Sequence, residues 1–170
     1  MKTSELKSCL TAHLATEAHA AKLEELQTKA AAELATLENA GDLQHVPTLE
    51  KIGRLRLQLD LIPARLVAMG QATEASRVHL LESAEQFVEQ TLLPKISVVR
   101  AIAAKNNTQT LNAAYSGPKL LAAVNESDTV SQLDQFPRTL LRDSHPADAK
   151  EYVSRRLAIW QQVLKIEKAL

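Results

Sequence analysis

Aromatic residues are nearly missing from this chain: two Phe, two Tyr and one Trp in 170 residues. That scarcity argues against a platform for single-stranded nucleic acid, which stacks bases on aromatic faces set among basic residues. Glycine is as rare, with four copies, so no glycine-rich loop is available to cradle a phosphate. Cys9 is the one cysteine, which excludes an internal disulfide framework and a cysteine metal cluster. No uncharged apolar run reaches the roughly 18 residues that a membrane span requires. The opening MKTSELKSCL is polar within four residues and lacks the apolar core of a signal peptide. An intracellular, cytoplasmic setting is therefore expected. Charge of one sign is also lacking: 20 basic and 20 acidic residues cancel, so no net field draws the chain to nucleic acid or an anionic membrane.

What is present is helix-forming material. The chain is 45% hydrophobic, and with so few aromatics that content falls largely to Ala and Leu, both good helix formers. From Ile52 the residues Leu55, Leu59, Ile62, Leu66 and Met69 follow in alternating steps of three and four. Such spacing holds one stripe of a helix against a neighbouring helix. The stripe continues thinly through Thr73, Ser76, Leu80, Ser83 and Phe87 toward Leu92. An N-terminal segment carries a second stripe: Leu6, Cys9, His13, Thr16, Ala20, Leu23, Gln27, Ala30, Leu34 and Leu37. Leu10, Leu14, Ala21 and Leu26 widen it, and its centre is small and polar. Residues 1–50 carry four Lys against eight Asp and Glu, and the remainder is correspondingly basic. Either an acidic first helix folds back on basic partners, or an acidic face is left for another molecule.

These patterns predict an all-α, single helical domain over residues 1–170. A long antiparallel, coiled-coil-like hairpin is expected over 1–93, short helices and an irregular segment over 94–143, and a C-terminal helix over 144–170, packed as a bundle. The first helix is expected from Thr3 to Ala40, with Gly41 as its left-handed cap and a turn to Pro47. The second begins near Thr48. Leu55, Leu57, Leu59 and Leu61 alternate with polar residues as in a strand, but the longer three-four stripe favours helix. Pro63 should kink this helix without ending it, because the stripe keeps its phase across the ring, and Gly70 is a further weak point. An end is expected near Leu93, since the residue before Pro94 is pushed out of helical geometry. Beyond it, Asn106–Asn107 should interrupt a helix, Gly117–Pro118 should stop another, and Leu120 to Val124 and Val130 to Phe136 should form separate short helices. Residues 138–146 read as irregular. The last helix should start near Ser144–Pro146 and turn Ala149, Tyr152, Arg156, Ile159, Val163 and Ile166 to one side, with Val153, Leu157, Trp160 and Leu164 beside them.

No constellation points firmly to chemistry. His13 and Glu17 share a helical face while His19 points elsewhere, and the two-histidine spacing of a helical zinc site is missing. His79, Glu82, Glu85 and Glu89 line one face, but a di-iron bundle needs Glu-x-x-His, which this chain lacks. That row reads as a solvated charged face. Cys9 on a stripe reads as a small buried hydrophobe. The clusters Arg54/Arg56, Lys95/Arg100/Lys105 and Arg155/Arg156 read as ordinary surface. Trp160 reads first as a core anchor, with an interface role as the alternative.

The function expected is that of a non-enzymatic interaction or scaffold protein, a subunit of a larger assembly or a homo-oligomer, because the stripes are wider than one partner helix covers. Candidate partner-binding residues are Phe136, Arg138 and Arg142, in an apolar-basic segment, with Tyr152 and Trp160. No cofactor, metal or nucleic acid is expected, and the partner is protein or a second copy. The balanced charge and the want of a Lys-rich, Trp-flanked face speak against association with a membrane surface. The rival is a metal- or ligand-dependent helical-bundle enzyme with inward carboxylates or histidines.

Overall fold

A computed structural model describes residues 1–40, 45–112, 117–142 and 148–170, with side chains described outside 110–127 and 141–147. Every described element is helical: α1 (Thr3–Asn39), α2 (Val46–Phe87), a π-helical turn (Val88–Leu92), α3 (Leu93–Asn112), α4 (Gly117–Arg142) and α5 (Ala149–Ala169). Two compact units divide the chain, Thr11–His79 and the combination of Met1–Leu10 with Leu80–Leu170.

The Thr11–His79 unit is an antiparallel hairpin of α1 and α2. Glu33 and Glu38, late in α1, pair with Lys51 and Arg56, early in α2, at 2.5 and 2.7 Å. Part of the acidic surplus of the first helix is thus neutralised by α2. Ile52, Leu55 and Ile62 of the stripe are buried, while Leu59, Leu66 and Met69 are half-buried. Across from them, His13 and Ala30 are buried and the other stripe positions of α1 in this unit are half-buried. The widening residues divide: Leu14 is half-buried, but Ala21 and Leu26 face solvent. α2 stays helical through Pro63 and through Gly70, as the unbroken phase of the stripe requires.

The second unit is a bundle. Leu6 from α1, Leu80, Ala84 and Phe87 from α2, Leu92 from the π turn, and residues of α3, α4 and α5 form one buried cluster. α3 packs on both α4 and α5. Phe87 meets Trp160 edge to face, with ring centroids 5.7 Å apart, and Lys95 Nζ reaches Glu167 at 2.6 Å.

Several expected boundaries are corrected. The helix does not end near Leu93; it widens into the π turn and continues as α3. Leu93 N–H donates to the Val88 carbonyl, five residues back. The extra residue in that turn opens the backbone against which the Pro94 ring would otherwise collide. It also resets the stripe, which steps by five from Phe87 to Leu92 and then resumes as Ile96, Val99 and Ala103, all buried. Asn106–Asn107 does not interrupt α3, and both residues are half-buried within it. The separate helices expected over Leu120–Val124 and Val130–Phe136 are one helix, α4, with Pro137 inside it. Gly117–Pro118 opens this helix, and proline is tolerated in a first turn because its missing N–H has no helical partner there. Residues 138–142, expected to be irregular, belong to α4. α5 starts at Ala149, where the Asp148 carboxylate accepts from the N–H groups of Lys150 at 2.8 Å and Glu151 at 3.2 Å. The second helix starts at Val46 rather than Thr48. The expected roles of Gly41 and Ser144–Pro146 lie outside the described residues.

Candidate functional site

Once Leu55, Leu57, Leu59 and Leu61 are placed on a helix, they cannot share a face. Leu55 and Leu59 turn toward α1. Leu57 and Leu61 turn away and are 60% and 50% exposed. Spacing of four, three, four and four extends this second stripe from Leu57 and Leu61 through Ala64, Ala68 and Ala72, all exposed.

Where this stripe runs beside α1, the two helices enclose an open groove of about 660 Å³. Its floor is apolar: Leu23 and Leu26 from α1, and Ala68, Met69 and Ala72 from α2. Leu26 is 56% exposed. Alanine at 68 and 72 supplies the depth, since a larger side chain at either place would fill the space between the helices. His19, Lys22 and Arg65 form the rim. Among the described residues none of these three makes an ion pair, whereas Lys29, Lys51, Arg56 and Arg77 of the same unit each hold a carboxylate. The groove thus offers apolar surface edged by two cations, Lys22 and Arg65, that hold no carboxylate among the described residues.

The sequence candidates fall elsewhere. Phe136 and Tyr152 lie in the core of the bundle unit, each 8% exposed. Trp160 is half-buried against that core. Arg138 is exposed and adds to the positive field that draws down the Asp134 pKa, and the Arg142 side chain lies outside the described residues. The Arg155/Arg156 pair, expected on the surface, is split. Arg155 is exposed and bound to Glu151. Arg156 is buried, its guanidinium 3.1 Å from the Tyr152 ring centroid and its Nη1 donating to the Tyr152 carbonyl at 3.0 Å. A cation over an aromatic face offsets part of its desolvation.

The titratable residues named from the sequence are placed as follows among the described residues. His13 is buried with Nε2 3.4 Å from the Glu17 carboxylate, and His19 is exposed on the groove rim. His79, Glu82, Glu85 and Glu89 are all exposed. Cys9 is half-buried and accepts from the Ser83 hydroxyl at 3.7 Å. Among the described residues no group of three or more His, Cys, Asp or Glu is placed to hold a metal ion, and no helix is long and apolar enough to cross a membrane.

The alternation of leucines from Leu55 to Leu61, read only for helix against strand, does not reveal the groove. The signal it does carry is that on a helix Leu57 and Leu61 are left without a neighbour. Compared with known proteins, the chain matches no family model, no curated protein and no solved structure.

Proposed function

We propose that this chain works by binding, as a helical scaffold or subunit of a larger protein assembly, and not by turnover. The observation that carries this reading is the apolar surface left on the hairpin: Leu26, Leu57, Leu61 and Val67 are each at least half exposed. Contiguous exposed apolar area beyond a few hundred square ångströms normally marks an interface. Self-association and a different protein partner both satisfy this reading. From the candidates in the bundle unit, Arg138 and the open edge of Trp160 remain accessible to a partner.

The test is the mass of the chain purified from its native cell, for the wild type and for the double variant Leu57→Glu/Leu61→Glu. Both substitutions lie on the solvent side, so far-UV helicity should be unchanged. A wild type heavier than one chain, with the variant reduced to a monomer of equal helicity, supports the reading. A wild type that sediments as a single chain with no stoichiometric companion overturns it.

A further inference from the structure

Resting on the interaction reading above, we infer that the groove lined by Leu23, Leu26, Ala68 and Met69 is the seat of a third helix, acidic and amphipathic, contributed by a different protein. Three features select this occupant. First, the groove is open along two helices, and the exposed stripe on α2 advances by fifteen residue steps from Leu57 to Ala72. At 1.5 Å per residue that is about 22 Å, four helical turns. A helix laid there would complete a three-helix arrangement and cover both Leu26 and Leu61. Second, the charge at the edge is positive and spread out. Lys22 stands on the α1 side and Arg65 on the α2 side. Arg54, also exposed, precedes Arg65 by eleven residues, about three turns or 16 Å along the same side of α2. A single-chain lipid carries one anionic head and could meet only one of these positions. A helix with carboxylates flanking its apolar seam meets them all. Third, a second copy docking groove to groove would bring Lys22 and Arg65 of both chains into one two-fold interface. Like charges so placed repel.

The probe is a fluorescein-labelled amphipathic peptide of about 20 residues, with Leu at the seam and Glu on both flanks. Its counterparts are the same peptide with Lys for Glu, and laurate as the single-headed anion. Anisotropy titrations against the full chain should show saturable binding of the Glu peptide, weakened by added salt, and at least about tenfold weaker binding of the Lys peptide. In Lys22→Glu/Arg65→Glu, with both changes at exposed positions, the preference should reverse. Leu26→Ser should weaken both peptides. Equal affinity for the two peptides, binding of the Glu peptide indifferent to Lys22→Glu/Arg65→Glu, or laurate binding without Glu-peptide binding would each overturn the assignment. If the Glu peptide fails while the purified chain is still heavier than a monomer, the groove assignment fails and the interaction reading stands.

Discussion

At the scale of single residues, the hairpin stores its instability in polar side chains placed on an apolar stripe. His13 Nδ1 and Thr73 Oγ1 are buried, and neither has a hydrogen-bond partner among the described residues. A buried polar atom without a partner loses its hydration and gains nothing in return. Thr73→Val should therefore stabilise the chain by about 1 kcal/mol, and His13→Leu by less, because it also gives up the Nε2 contact with Glu17. Paired denaturant titrations check this. Loss of stability in both variants would mean that the two atoms do find partners. Ion pairs on the surface give a different signature. Arg100 donates to both oxygens of Asp134, at 3.2 Å through Nη2 and more closely through Nε. That hydrogen bond, with the charges of Arg100 and Arg138, holds the Asp134 carboxyl below its ordinary value of 3.8 against a smaller opposing effect of burial. A depressed carboxylate pKa stabilises the fold above the unfolded value, and the contribution is lost as pH falls through the folded one. Asp134→Asn should accordingly destabilise the protein at neutral pH, and the gap to wild type should close below pH 3.8. A gap independent of pH would remove the ion pair as its cause. The effect is small, because both partners are solvent-exposed.

At the scale of elements, what was legible was periodicity and what was not was punctuation. Each three-four position of α1 from Leu6 to Leu37 is buried or half-buried, so the seam was written in the residue spacing. The rule that proline ends a helix failed at Pro94 because a π turn absorbs the ring, and at Pro137 because α4 is held by packing. Leu133, Phe136 and Leu140 are all buried around that proline, and tertiary packing supplies most of the stability of such a helix. The π turn yields a specific prediction. Deleting exposed Glu89 removes its extra residue, returns the turn to α geometry and sets the Pro94 ring against the Gln90 carbonyl, a clash worth about 3 kcal/mol. The deletion combined with Pro94→Ala should be more stable than the deletion alone by about that amount in thermal unfolding. Equal stability of the two would show that the π turn does not serve the proline.

At the scale of the whole molecule, the candidate site was the least legible part, and the reason is physical. An aromatic-basic segment such as Phe136–Arg138 looks like a recognition element in sequence. In the fold its aromatic ring closes a core, while apolar surface is left exposed where α2 carries two apolar stripes and has one helix to cover one of them. The sequence held both stripes, but only the geometry of the hairpin decides which of them is covered. For the chain to work by binding, the second stripe must be covered in the working assembly. Amide hydrogen exchange tests that claim most directly, comparing the dilute chain alone with the chain in the complex isolated from its native cell. Slower exchange in the complex is predicted over residues 15–26 and 54–72, with little change along α3 and α4. Protection confined to other segments, or identical exchange in the two samples, would contradict it.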